Sequence, residues 1–232
     1  MATASPATYG LLGMLSVRSW TGYELTAQVR RSLRFIWPSS DGHLYREQRR
    51  LVELGWAVME EEPSGLRSRK RYTITDAGRD ALAAWLATEP DEPHFQIEGV
   101  LRTFFGDRGD VGDLLGSMRT TAEKARAMRE EMYGYVAEYL APGGPLSMLE
   151  EGVGTESDER LESHGRPMYP ERLHSVALAI DVTTQLLETL DRFFTAASEE
   201  VADWPGAGDA SLTPATRRRL EGILARARAD AS

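Results

Sequence analysis

The stretch Trp37-Pro-Ser-Ser-Asp-Gly-His-Leu-Tyr-Arg-Glu-Gln-Arg-Arg-Leu-Val-Glu-Leu-Gly-Trp56 decides how the chain is read. Pro38 pushes the residue before it out of the αR region, so no helix runs through Trp37. Ser39, Ser40 and Asp41 then offer side-chain oxygens to cap the first free N–H groups of a helix. Leu44, Leu51 and Leu54 follow at helical spacing, and Gly55 supplies the stop. At about 100° per residue, Gly42, Tyr45, Arg46, Arg49, Arg50 and Glu53 fall on the opposite face. The pattern predicts a short helix with a leucine stripe inward and three arginines plus a tyrosine outward.

A basic helical face is most often plain solvated surface. Its neighbours change that reading. After Gly55 comes the apolar run Trp56-Ala-Val-Met59, then Glu60 to Glu62, a turn at Pro63-Ser-Gly65, and Arg67-Ser-Arg-Lys-Arg71 leading into Tyr72-Thr-Ile-Thr75. Two β-prone runs around a Pro/Gly turn read as a hairpin. A helix followed at once by a hairpin with a basic arm describes a winged helix-turn-helix, the helix for the major groove and the wing for the backbone.

The chain resembles the PadR family of transcriptional regulators. The residues that carry the resemblance are Tyr9-Gly-Leu-Leu-Gly-Met-Leu15, Thr21-Gly-Tyr-Glu-Leu25, Trp37-Pro38, Leu44-Tyr45, Arg49-Arg-Leu51, Leu54-Gly55 and Arg69-Lys-Arg-Tyr-Thr-Ile-Thr-Asp-Ala-Gly78. They run in order and nearly without gaps over residues 7–88. Two positions depart from the pattern: Arg46, where a proline or another small residue is usual though arginine also occurs, and Gln48, where a leucine is usual. The resemblance implies a homodimer joined through C-terminal helices, and a small effector, often phenolic or otherwise aromatic, that releases the protein from DNA.

Arg46 and Arg49 are assigned to base edges, since arginine can grip guanine O6 and N7 with two hydrogen bonds. Arg67, Arg69, Lys70 and Arg71 on the wing are assigned to phosphate, or to the minor groove if the wing reaches it, and Tyr45 and Ser40 to positioning bonds on the backbone. Ser39, His43 and Arg50 complete the candidate DNA-facing set. Candidates for an effector pocket are Phe35 and Trp37 near the recognition helix and Phe104, Phe105, Tyr133, Phe193 and Phe194 further on, although any one aromatic is more often core.

The formal net charge of −9 looks wrong for a DNA reader until it is divided. Residues 1–88 hold 12 Lys/Arg against 9 Asp/Glu, a balance of +3, whereas residues 89–232 hold 15 against 27, a balance of −12. The basic charge sits with the winged helix, and the acidic half would be repelled by a duplex. There are no cysteines, which fits a reducing cytoplasm and leaves no thiolate metal site, and His43, His94, His164 and His174 show no metal-ligand spacing. The N-terminus lacks a basic n-region, and the apolar run Leu11 to Leu15 is too short for a signal or membrane segment.

In order along the chain, Ala7 to Ser16 predicts a largely buried first helix with Tyr9, Leu11, Leu12 and Leu15 on one side. Arg18 to Trp20 reads as a turn, and Thr21 to Leu33 as a second helix in which Tyr23, Leu25, Val29 and Leu33 make an imperfect apolar stripe. A fourth helix begins at Thr75-Asp-Ala-Gly78, with Trp85 in the core. Glu89-Pro-Asp-Glu-Pro93 is a stiff acidic break. Phe95 to Phe105 reads as a helix with Ile97, Val100, Leu101, Phe104 and Phe105 inward. Val111 to Leu140 gives one or two helices of near-heptad spacing, and 141–170 a polar loop insertion. Glu171 to Val201 is a long helix apolar on more than one side. After a hinge at Pro205-Gly-Ala-Gly208, Thr213-Pro214 starts a last amphipathic helix.

The predicted fold is thus mainly α: a winged helix-turn-helix with a two-stranded wing over 1–88, a linker at 89–93, a helical dimerisation and effector domain over 94–204, and a hinge with a terminal helix over 205–232. No phosphate-cradling loop, nucleophile elbow or His-Glu-x-x-His motif appears, so an enzyme reading has little support and no cofactor or metal is implied. The expected function is a cytoplasmic, sequence-specific DNA-binding repressor acting on a palindromic duplex operator. The alternative is a winged-helix module whose basic face binds an acidic protein.

Overall fold

The computed structural model describes residues 4–64, 67–152, 162–163, 166–167, 169, 172–208 and 214–229. They fall into two compact units, Met1–His94 and Phe95–Ser232.

In the first unit, α1 (Pro6–Leu15) starts on a reciprocal cap in which Ser5 and Thr8 bond each other's backbone N–H, with Pro6 in the first turn. Leu11, Leu12 and Leu15 are fully buried and form the centre about which the unit packs. Arg18 to Trp20 does more than turn. Trp20–Thr21 forms a short strand, β1, that pairs antiparallel with β3 (Arg67–Ile74), with Trp20 opposite Tyr72. The buried Trp20 indole N–H donates to the Met14 carbonyl at 3.0 Å, which ties the end of α1 to this strand. Two residues are too few to show period-2 alternation, so the sequence carries no signal for it.

The second helix, α2 (Gly22–Ser32), is started by a second capping pair, Thr21 with Glu24. Leu25, Thr26 and Val29 face the core, but Tyr23 does not: it is 77% exposed. The third helix, α3 (Asp41–Glu53), is capped by Ser40, whose hydroxyl accepts from the His43 N–H. It ends at Gly55 with φ +73°, where the N–H groups of Gly55 and Trp56 reach back to the carbonyls of Val52 and Leu51. That turn aims the chain into β2 (Ala57–Ser64), which pairs with β3 from Ala57↔Ile74 out to Ser64↔Arg67. The wing hairpin therefore carries a third strand, in the order β1-β3-β2.

The last helix of this unit, α4 (Asp76–Leu86), is capped by Thr75. A Cβ on Gly78 would lie 2.1 Å from the Trp56 carbonyl oxygen, so only glycine lets α4 start this close to the base of β2. Trp85 is partly exposed rather than core, and stacks flat on Tyr9 at 4.8 Å.

The second unit is built on two long helices, α6 (Val111–Leu140) and α8 (Leu173–Val201). They run antiparallel: Leu114, Met118 and Ala122, early in α6, pack against Phe194, Ala197 and Val201, late in α8. Ahead of them lie α5 (Glu98–Phe104) and one 3-10 turn. The expectation that Val100, Leu101, Phe104 and Phe105 point inward is not met, and Phe104 is 77% exposed. α5 meets α6 through its smallest residue instead. A Cβ on Gly99 would sit 2.2 Å from Thr121 Oγ1, so the glycine face packs and the apolar face stays outside.

The loop expected over 141–170 contains structure. Pro145 starts α7 (Pro145–Glu150), which buries Met148, and β4 (Glu162–Ser163) pairs with β5 (Arg166–Pro167). Residues 153–161, 164–165, 168 and 170 of that stretch, and Thr213, the expected cap of the last helix α9 (Pro214–Ala229), lie outside the described residues.

One charged cluster crosses the α6–α8 interface. Asp191 is buried and accepts two bonds from Arg126, at 2.7 and 3.1 Å, and one ion pair from Arg129 at 3.2 Å. Burial alone would raise its pKa; the Arg126 bonds and charge, the Arg129 charge and the Thr195 hydroxyl outweigh this and hold it below the ordinary carboxylate value. A depressed carboxyl contributes stability that is present above its unfolded pKa and is lost as pH falls through its folded value. Arg126 is half exposed, so the cost of breaking a fully buried pair is discounted to about 2 kcal/mol. Asp191→Asn is expected to lose that amount at pH 7 in urea unfolding, and to lose less further stability than the parent when the pH is lowered from 5 to 2.

Candidate nucleic-acid interface

The outward face of α3 presents Tyr45, Arg46 and Arg49, all exposed. No ion pair holds Arg46 or Arg49 among the described residues. Arg50 is different: it is half-buried and bonded to Glu53 at 3.3 Å. His43, in the first turn, is half-buried with Nδ1 4.0 Å from Glu47. Glu47 accepts in turn from the hydroxyls of Ser5 and Thr8, so the cap of α1 is bonded to α3. Ser39 is half exposed beside the cap, and the Ser40 oxygen is occupied by the His43 N–H.

On the wing, Arg69 and Lys70 stand exposed opposite Glu62 and Glu61. Arg71 is consumed within the unit. It donates to Glu62 at 2.5 Å and to the Ser19 carbonyl at 3.3 Å, and lies 4.0 Å from Glu24. Its pKa is raised by the bond to Glu62. That of Glu24 is lowered: burial acts upward on it, but the Thr21 bonds and the Arg71 and Arg18 charges prevail. The Arg67 backbone pairs with Ser64, and its side chain lies outside the described residues.

Between helix and wing lies a cleft of about 680 Å³. Its walls are the first turn of α2 (Gly22, Tyr23), the face of α3 (Tyr45, Gln48, Arg49) and one arm of the wing (Ser68, Arg69, Lys70, Tyr72). Gln48 is fully buried, and its Nε2 donates to the Gly22 carbonyl at 3.1 Å and to Thr26 Oγ1 at 2.9 Å. Thr26 donates its own hydroxyl to that same carbonyl. Both partners are thus acceptors towards Gln48, which fixes the amide orientation and leaves Oε1 with no protein donor. A Cβ on Gly22 would come within 2.9 Å of that oxygen and 3.3 Å of the Tyr72 ring. Burial pushes the Tyr72 hydroxyl pKa up, against the nearby Arg49 charge.

Residues 11–84 match the transcriptional regulator PadR-like family. Residues 11–84 thus carry a PadR-like domain. This PadR-like chain is 24% identical over 151 residues to the negative transcriptional regulator PadR of Bacillus subtilis strain 168, a match spanning 63% of this chain and 81% of the relative. The fold is that of the Bacillus subtilis PadR crystal structure in complex with operator DNA, at a TM-score of 0.59 and 17% identity, covering 84% of this chain and 98% of that one. The same coverage holds for PadR in complex with p-coumaric acid, at a TM-score of 0.57 and 18% identity. The family and these relatives are transcriptional regulators, not enzymes.

The seven aromatic effector candidates of this PadR-like chain do not form one group. Phe35, under the Arg34 guanidinium, and the exposed Trp37 belong to the first unit. In the second, Phe104 and Phe105 meet edge-on at 5.0 Å and are exposed, Tyr133 is exposed 5.9 Å from Arg129, and Phe193 is exposed beside Phe194. Phe194 itself is fully buried in the α6–α8 core. Sequence reasoning did not bring Tyr23, Gln48 and Tyr72 to the cleft. The Thr21/Glu24 capping pair was the available signal for Tyr23, because it fixes Gly22 and Tyr23 as an open first turn.

Gln48→Leu removes two hydrogen bonds together with one buried acceptor that lacks a donor, and its stability is expected to change by less than about 1 kcal/mol. Gln48→Glu sets a buried carboxylate against the Gly22 carbonyl and is expected to cost about 3 kcal/mol or more. Urea unfolding of both variants checks the pair.

Proposed function

We propose that this PadR-like regulator is a homodimeric, cytoplasmic repressor that reads a palindromic operator with α3 and is released by a small aromatic effector. The observation that carries the reading is the placement of Arg49, free of ion pairs among the described residues, across one cleft from Arg69 and Lys70, with Arg46 exposed on the same helix. Arg46 and Arg49 take base edges; Arg69 and Lys70, with Arg67, take phosphates; Ser39, Ser40, His43 and Tyr45 position the backbone. Arg50 and Arg71, already bonded to Glu53 and Glu62, contribute structure more than DNA contact.

On this reading residues 1–88 bind DNA, 89–93 link, and 94–204 join the two copies. The dimer draws support from the apolar surface that the second unit leaves outside, on α5 (Leu101, Phe104, Phe105) and on α8 (Leu178, Val182, Leu186). A lone chain would hold that surface in water at a cost of about 25 cal/mol per Å². The effector class draws support from the p-coumaric acid complex of Bacillus subtilis PadR.

The test begins by selecting genomic fragments on the purified protein and titrating Arg49→Ala and Arg69→Ala on the selected and a random duplex over a range of salt. Arg49→Ala is expected to lose about 1–3 kcal/mol on the selected site only. Arg69→Ala is expected to weaken both duplexes alike and to lower the salt slope by roughly one per phosphate lost in each half-site. A chain that binds both duplexes with equal affinity would instead favour the protein-interaction module. Separately, p-coumaric acid and related aromatic acids are expected to lower affinity for the selected site and change tryptophan fluorescence; a panel without either effect removes the effector from the reading.

A further inference from the structure

The terminal helix α9 is sixteen residues long and has no buried residue. A lone helix of that length is marginal in water, so one that persists needs a surface to lie on. Leu220, Ile223, Leu224 and Ala227 share one face, and the three large ones are exposed. At about 100° per residue, Arg219 and Arg226 border this face on one side and Arg217 and Arg228 on the other. The helix thus offers a hydrocarbon strip between two rows of guanidinium groups.

A matching surface exists on α8. Leu178, Val182, Leu186 and Phe193 lie along one exposed line of that helix. Exposed Asp181, Glu188 and Glu199 run along its edge, with Arg192 as the guanidinium in the same row. The charges match on the larger scale as well. α9 holds five arginines against one glutamate, a balance of +4, while residues 89–213 hold 10 Lys/Arg against 25 Asp/Glu, a balance of −15. One contact already joins the two helices: Arg219 bonds Glu200 at 2.5 Å and lies over the Phe193 ring at 5.5 Å. Within one chain the match goes little further, because Leu220, Ile223 and Leu224 stay exposed and so do Leu178, Val182 and Leu186.

We propose that α9 is a latch that docks its apolar face on the exposed stripe of α8 in a second copy of this chain, its arginines facing the Asp181–Glu188–Glu199 edge. The arrangement is reciprocal about a twofold axis, so each copy gives a latch and receives one, and both uncovered stripes are buried twice. It rests on the homodimer reading above and deepens it.

The chain contains no cysteine, so introduced thiols are the sole targets of a short-arm bismaleimide. Val182→Cys and Ile223→Cys are made separately in full-length chains carrying tags of different size, mixed to exchange subunits, and cross-linked. A mixed-size band is expected, absent when Arg102→Cys on α5 replaces Val182→Cys. In parallel, Leu220→Glu/Ile223→Glu is expected to weaken dimerisation at least tenfold by sedimentation while the fold is retained by circular dichroism. A dimer with no mixed band, or a charge variant that dimerises as tightly as the parent, overturns the latch and leaves the homodimer standing. A parent chain that sediments as a monomer overturns both. A charge variant that keeps full dimer affinity but loses binding to anionic phosphatidylglycerol vesicles would assign this face to a membrane surface.

Discussion

The side-chain amide of Gln48 donates both of its hydrogens into the first turns of α2, one to the Gly22 carbonyl and one to Thr26. This buried link, with Leu44 and Leu51 packed beside it, sets the rotation of α3 against the helix before it. The rotation decides which residues of α3 point outward, and so which can enter a groove. Tyr45 and Arg49 reach the cleft because Leu44, Gln48 and Leu51 are held inside. Gly22 is part of the same constraint, because a side chain there would run into the Gln48 oxygen and the Tyr72 ring. The shape of the interface is therefore set from behind, by packing and by one amide, before any charge is considered.

Charge then sorts the basic residues into two groups that a count of arginines does not separate. Arg50 and Arg71 are neutralised by carboxylates of their own unit; Arg71 fastens the wing to the strand beside Trp20. Arg46 and Arg49 carry no ion pair among the described residues and stand on an exposed face. A guanidinium already bonded to a carboxylate has less to gain from a phosphate, since it must give up one partner to take another. Adjacent arginines on one helix, Arg49 and Arg50, thus differ in their bonding.

Much of the first unit was legible because its signals are local. Ser40 and Gly55 bracket α3, Thr75 caps α4, and the Pro/Gly-containing turn separates the two arms of the wing. What stayed hidden depended on distant partners. β1 is two residues long and exists only because β3 lies beside it. Tyr23 was grouped with apolar residues by its ring, although its position in an open first turn leaves it outside. In the second unit the pattern of α5 was read in the wrong sense. The apolar face was assigned inward, whereas the close approach at Gly99 makes the small face the packed one. Periodicity shows that a helix has two faces; which one the protein itself covers depends on shape. The site was legible as residue types on α3 and the wing, but not as a cleft, since its third wall comes from α2.

The bonds from Ser5 and Thr8 to Glu47 carry a practical consequence for handling the protein. They join the cap of the first helix to the second turn of α3. A purification tag or fusion joined ahead of Ser5 would pull on that junction from only a few residues away. DNA-binding constants from an N-terminally extended protein are therefore to be compared with those of the unextended chain.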